Sequence, residues 1–205
     1  MVKYDYDFDP AVDYQPKPKA DVVHLWGGAT MEADGSVHVS NTCLFKLLHD
    51  LNNKGYNNWE INGCPVTPPV YKQAAKQLWP EKPAELSWVD HIDRNRTNDA
   101  FDNLRWVNAS LNNLNQYRRK TKGYYHETQE WLDSVNEIRA KKKQRPLVLT
   151  HKPREKYIAA VTYKGTSHEL GAFETPEAAT KCYNKRKEGF IQERLRDLWS
   201  EFLFA

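Results

Sequence analysis

"WVDHIDRNRTNDAFDNLRWVNASLNN", residues 88–113, carries an Asp-His pair and six asparagines in 26 residues, with almost no continuous apolar run. Asparagine suits neither helix interiors nor strands. The stretch therefore divides by residue type. "LSWVDHI" has strand composition up to the histidine, "DRNRTNDAFD" consists of turn formers, "NLRWV" reads as a short strand, and "NASLNNLNQYRRK" begins a helix that grows basic. The reading is strand, loop, strand, helix.

Either side, short elements follow one another. "VVHLWGG" and "SVHVS" read as two strands around the turn "EADGS". Asn41, with Thr42 beside it, caps an expected helix "CLFKLLHDLNN" that Gly55 stops. "NNWEINGCPVT" reads as a hairpin with an Asn62-Gly63 turn, and "PPVYKQAAKQLWP" as a helix begun and ended by proline. After Gly123, "TQEWLDSVNEIRAKKKQ" sets Trp131, Val135 and Ile138 at helical spacing, and Arg145-Pro146 breaks it. "LVLTH", "KYIAAVTY" and "SHELGAF" are three strand-like runs with a Lys164-Gly165 turn. Thr175 caps a helix from Pro176, and Ile191, Leu195, Leu198 and Phe202 form a stripe near its end. Trp26, Trp59, Trp79, Trp88 and Trp106 are expected in the core, and His24, His38 and His49 as ordinary surface or half-buried histidines.

Composition narrows the class. The 205 residues are 40% apolar and 12% aromatic, enough for one domain or two small ones with a core. Net charge is only +3, yet residues 115–164 hold 13 Lys/Arg against five Asp/Glu. A basic central block in a near-neutral chain suits a surface that meets a polyanion, with a plain solvated basic face as the alternative. The first residues have no apolar signal core, and no run reaches the ~18 residues of a membrane span. Cys43, Cys64 and Cys182 are odd in number and lack a CxxC pair, which favours a reducing compartment over a disulfide framework. The sequons at Asn95 and Asn108 are then accidental. Residues 1–20, with Tyr/Phe alternating with Asp before "PKPK", are expected as a flexible tail.

The central stretch also carries chemistry. Asp90 offers a hard anionic oxygen and Asn112 a neutral one, a pair that suits Mg²⁺ with its remaining waters and a phosphate. His91 can take a proton from water near neutral pH. The amide of Asn103 can donate and accept at once and so pin the loop. Adjacent strand residues face opposite ways, so Asp90 and His91 can share a site only where the strand ends or bends. A polar turn region with a surface histidine is the alternative on these residues alone.

"VDHIDRNRTNDAFDNLRWVNASLNNLN" resembles the HNH nucleases of the ββα-metal class, especially the phage homing and free-standing endonucleases. The likeness runs from about Trp59 to Lys120, with twelve residues from His91 to Asn103 and nine more to Asn112. It implies His91 as general base, Asp90 and Asn112 as ligands of one divalent ion (Mg²⁺ or Mn²⁺), and Asn103 as the loop-fixing residue. The third motif letter is Asn rather than His, and no zinc-binding cysteines accompany it, so structural zinc is not expected. "KYIAAVTYKGTSHELGAFETPEAATKCYNKRKEG" is similar to the plant ethylene-response-factor (AP-two) DNA-binding module, in which a three-stranded sheet lies in the major groove. Leu170, Gly171, Phe173, Ala178, Ala179 and Tyr183 fit its sheet-on-helix packing, whereas the usual Gly-Val and Arg/Trp positions of the first strands are not recognisable.

These likenesses set the expectations. The class is α+β: a flexible tail at 1–20, an extension at 21–56, the nuclease domain at 57–122, a basic connecting helix at 123–145 and the DNA-binding module with its C-terminal helix at 146–205. The function is metal-dependent cleavage of double-stranded DNA by a monomer or weak dimer, in the cytoplasm of a bacterial host if phage-encoded. Arg118, Arg119, Lys120, Lys122, Lys141, Lys142, Lys143 and Arg145 are expected to track the backbone. Lys152, Arg154, Lys156, Thr162 and Lys164 are further DNA-contact candidates, by residue type and strand position. The rival is a non-catalytic DNA-binding regulatory protein with a decayed nuclease core.

Overall fold

The computed structural model describes residues 6–39, 45–49, 55–61, 64–116 and 123–205. They fall into two units, residues 1–116 with 191–205 and residues 117–190. Each combines small antiparallel sheets with helices, in keeping with the α+β class.

The first unit opens on a meander of β1 (Val22–His24), β2 (Thr30–Glu32) and β3 (Val37–His38), paired in that order. At its β2–β3 turn the Gly35 amide donates to the Glu32 carbonyl at 2.9 Å, and Ser36 N–H to Asp34 Oδ1 at 2.8 Å. A second sheet holds β4 (Phe45–His49), β5 (Asn57–Ile61) and β6 (Cys64–Pro65). The segment read as the helix "CLFKLLHDLNN" is therefore a strand where it is described, paired from Phe45 opposite Ile61 to His49 opposite Asn57. A short apolar run fits either period, and ladder pairing with β5 decides it. Ile61 pairs with Cys64, as the hairpin reading requires, while Asn62-Gly63 and the proposed Asn41 cap lie outside the described residues.

Helix α1 (Val70–Leu78) follows Pro69 and buries Val70, Tyr71, Ala74, Ala75 and Leu78 along one face. Next come β7 (Trp88–His91) and β8 (Leu104–Val107), an antiparallel pair with Asp90 opposite Arg105 and His91 opposite Leu104. Helix α2 (Ala109–Asn115) starts on Asn108, whose side chain accepts the Leu111 N–H at 2.9 Å, and it packs on both strands. The strand-loop-strand-helix reading of residues 88–113 thus matches the backbone.

In the second unit, β9 (Tyr124–His126) precedes α3 (Gln129–Lys141), and β10 (Tyr157–Tyr163) and β11 (Thr166–Phe173) follow, in the sheet order β11-β10-β9. Three strands were expected, but "LVLTH" is not one of them. Leu147 instead exchanges two hydrogen bonds, at 2.6 and 3.1 Å, with the side-chain amide of Asn136 on α3. The first strand is β9, so Tyr124–His126 belong to the sheet rather than to a connecting helix. Gly123, at φ +76°, lies where a Cβ would come within 2.3 Å of the Tyr183 ring. Lys164 and Gly165, at φ +49° and +78°, make the expected β10–β11 turn. Helix α4 (Pro176–Phe204) begins at Thr175, whose hydroxyl accepts the Ala178 N–H at 3.3 Å.

The last turns of α4 belong to the first unit, where Ile191, Leu195, Leu198 and Trp199 are buried. Residues 6–20, read as a tail, also pack there. Tyr6 donates its hydroxyl to the Glu81 carbonyl at 2.8 Å and meets Trp199 edge-on at 5.9 Å. Trp79 Nε1 donates to the Pro16 carbonyl and Gln15 Nε2 to that of Leu104. Aromatic side chains in this segment make burial worth more than the entropy of a free tail. Of the tryptophans expected inside, Trp79 and Trp106 are buried, Trp59 is half-buried, and Trp26, in the turn after β1, and Trp88, first in β7, are exposed.

Leu195 is fully buried in the first unit. Leu195→Ala is expected to cost about 2–5 kcal/mol, read as a lowered urea midpoint of the transition that also changes the fluorescence of Trp79.

Candidate active site

Four elements converge near the end of β7. Asp90 Oδ2 accepts from Arg105 Nε at 3.0 Å and from Asn115 Nδ2 at 2.8 Å. Arg105 is fully buried and faces Asp90 across the β7–β8 ladder, so register alone brings the opposite charges together. Burial pushes the Asp90 carboxyl up from its ordinary value, and the Arg105 charge and hydrogen bond, Asn115 and His91 offset this only in part. Asn115 also donates to the His91 carbonyl at 2.9 Å and accepts from Arg94 Nε at 3.0 Å. One amide therefore ties α2 to both motif residues.

His91 is the last residue of β7. Its Nε2 lies 2.8 Å from Asp99 Oδ1, with both side chains 3% exposed. The rings of Tyr71 and Tyr56 lie 5.0 and 5.9 Å away and stack on each other, and the Arg96 guanidinium sits 4.9 Å over Tyr56. Burial, with electrostatic contributions from Tyr56 and then Asp99, pushes the Tyr71 phenol strongly up, which keeps it protonated.

The loop between the strands is pinned as its composition suggested. Asn103 Oδ1 accepts the Asp93 N–H at 2.9 Å, and its Nδ2 donates to Asp93 Oδ1 at 3.0 Å and to the Asn98 carbonyl at 2.7 Å. Asp93 in turn accepts from the Asn95 amide and the Asn98 side chain. Burial alone would raise the Asp93 carboxyl, but the Asn98, Asn95 and Asn103 hydrogen bonds outweigh it and hold it below its ordinary value.

Asn112 lies one turn before Asn115 on α2, so it shares the helix face that meets Asp90. Its side-chain amide makes no hydrogen bond among the described residues, and both hydrogen bonds to Asp90 fall on Oδ2. Among the described residues no group of three or more His, Cys, Asp or Glu is placed to hold a metal ion. Asp90, His91 and Asn103 are thus gathered around one loop with Asn112 on the adjoining helix face.

Sequence reasoning missed Tyr56, Tyr71, Asp99, Arg105 and Asn115. Arg105 was legible as a charge in the middle of an apolar strand, "NLRWV", and Asn115 as the next asparagine one turn beyond Asn112.

Of the DNA-contact candidates, Arg118, Arg119, Lys120 and Lys122 lie outside the described residues. Lys142, Lys143 and Arg145 are exposed just past α3, and Lys141 is exposed and paired with Glu137. Lys152, Thr162 and Lys164 are exposed, and Lys156 pairs with Glu174 at 2.8 Å. Arg154 is half-buried and ion-paired within the unit. Its guanidinium meets Glu127 at 2.7 Å and Glu169 at 2.8 Å, and its backbone N–H donates to Glu127 Oε1 at 3.0 Å. Glu127 is fully buried, and the Arg154 hydrogen bonds draw its carboxyl below the ordinary 4.5 against the pull of burial.

Two outcomes follow for stability. Asn103→Ala, which removes three hydrogen bonds, is expected to lower stability by about 1–3 kcal/mol and to speed amide exchange at Asp93. A depressed carboxyl stabilises the fold above its unfolded pKa and loses that contribution as pH falls through the folded value. Glu127→Gln should therefore destabilise the second unit near neutral pH and flatten its acid loss of stability below about pH 4.5, measured as melting temperature against pH.

No protein-family model matches the chain, and neither the curated proteins nor the solved structures searched contain a match to it.

Proposed function

We propose that this chain is a metal-dependent endonuclease of the HNH type that hydrolyses phosphodiester bonds in double-stranded DNA. The observation that carries the reading is the convergence of Asp90, His91 and the Asn103-pinned loop at the end of β7, with α2 and Asn112 drawn in by Asn115. The donor set fits a hard divalent cation: one carboxylate with Oδ1 unengaged among the described residues, and one amide oxygen on the facing helix. Asp90 and Asn112 would hold Mg²⁺ or Mn²⁺, which supplies positive charge beside the scissile phosphate and the departing 3′ oxygen. His91 accepts a proton from the water that attacks phosphorus, leaving 3′-hydroxyl and 5′-phosphate ends by the family's chemistry. Asn103 and Asp93 keep the loop rigid while this happens. Lys142, Lys143 and Arg145, with Arg118, Arg119, Lys120 and Lys122, track the DNA backbone, and the sheet of the second unit supplies site preference.

A second reading is favoured by the Arg105 ion pair, which already satisfies one oxygen of Asp90, and by the close cover of the His91 ring. It is a DNA-binding regulatory protein whose nuclease centre has decayed.

Supercoiled plasmid separates the two. Purified protein with Mg²⁺ or Mn²⁺ is expected to nick or cut it, and EDTA to abolish cleavage. His91→Ala should lower the rate by about 10²–10⁴-fold with little change in DNA affinity. Cleavage by His91→Ala at the wild-type rate overturns the assignment of the base, and metal-independent binding without cleavage favours the second reading.

A further inference from the structure

Asp99 sits eight residues after His91, in the turn-rich loop, yet its carboxylate meets the His91 ring at 2.8 Å in a nearly solvent-free setting. An ionised carboxylate only accepts hydrogen bonds, so beside it a neutral imidazole carries its proton on Nε2 and its lone pair on Nδ1. The loop is held from outside by elements distant in sequence. Asn57 on β5 donates to Asp99 Oδ2 at 3.1 Å and to the Thr97 carbonyl at 2.8 Å. The Phe101 N–H donates to the Ala33 carbonyl in the β2–β3 turn at 2.8 Å. Gly35 of the same turn, at φ +86°, presses so closely that a Cβ would lie 2.7 Å from the Ala100 nitrogen and 2.8 Å from the Asp99 carbonyl carbon.

We infer that Asp99 is the positioning residue for His91, and that the β1–β3 meander and Asn57 act as the clamp that keeps it there. The inference rests on the endonuclease reading, in which His91 is the base. Asp99 fixes the tautomer that leaves Nδ1 bare, and it stabilises the imidazolium formed when that nitrogen takes a proton. The meander is then a working part of the active site rather than an appendage. Its backbone, through Ala33 and Gly35, sets the position of residues 99–101.

Two measurements on the full chain test this. The first is long-range proton–nitrogen NMR of histidine-labelled protein, with His91 assigned by loss of its signals in His91→Ala. Wild type is expected to carry the proton on Nε2, and Asp99→Asn to show a mixture of tautomers. A wild-type ring protonated on Nδ1 overturns the inference whatever the enzyme does. The second is single-turnover plasmid cleavage beside DNA affinity. Asp99→Asn is expected to lose about 10²–10⁴-fold in rate with affinity within about twofold of wild type. Asn57→Ala, which loosens the clamp but leaves the carboxylate, is expected to lose about tenfold. If Asp99→Asn cleaves at the wild-type rate while His91→Ala is inactive, Asp99 has no positioning role and His91 stands as base. If both cleave at the wild-type rate, the endonuclease reading of His91 itself falls.

Discussion

A charge with nowhere to go governs the first unit. Arg105 is fully buried in β8, and a guanidinium stays protonated in any protein setting, so the fold must place an anion beside it. Strand register supplies Asp90 directly opposite, and Asn115 adds a second hydrogen bond to the same carboxylate oxygen from α2. The hairpin, the helix and the motif residues are thereby locked in one arrangement. The same pairing makes Asp90 a poor probe of chemistry. Removing it takes away the carboxylate opposite a fully buried Arg105, and lost activity would then report on folding as much as on a metal.

The asparagines of residues 88–113 turn out to hold unequal jobs. Asn108 caps a helix, Asn103 bridges the two ends of a loop, Asn98 braces Asp93, and Asn95 shapes a turn. Asn103 and Asn98 donate and accept from one short side chain, whereas Asn108 and Asn95 use the amide oxygen alone. The loop is consequently rigid without an apolar core of its own. In the second unit Glu127 and Arg154 do comparable work, fastening the segment between α3 and β10.

What could be read in advance was whatever local chemistry decides. Pro69 before α1, Asn108 before α2, Thr175 before α4 and the Lys164-Gly165 turn all mark boundaries through their own backbone or side-chain groups, and all appear where expected. Where partners are distant, the reading failed. Residues 45–49 are a strand because β5 lies beside them, whereas "LVLTH" is not one, and both backbone groups of its first residue, Leu147, bond the Asn136 side chain. Asp99 could not be told from its polar neighbours without knowing that Asn57 and Gly35 would fix it in place. The pattern named the residues on which the candidate site is built, but their neighbours depended on tertiary packing.

The first unit is interrupted in sequence, and that affects how a chain made from one end can reach its native state. Tyr6, Trp79 and the β7–β8 hairpin leave the ribosome early, whereas Ile191, Leu195, Leu198 and Trp199, which complete the same core, are made only after the whole second unit. The second unit has both of its boundaries already translated and can fold first. During synthesis the motif residues would sit in an unfinished core, and the centre would be completed only when the end of α4 arrived. Assembly order would then delay any activity of the nascent chain until translation of that helix is complete.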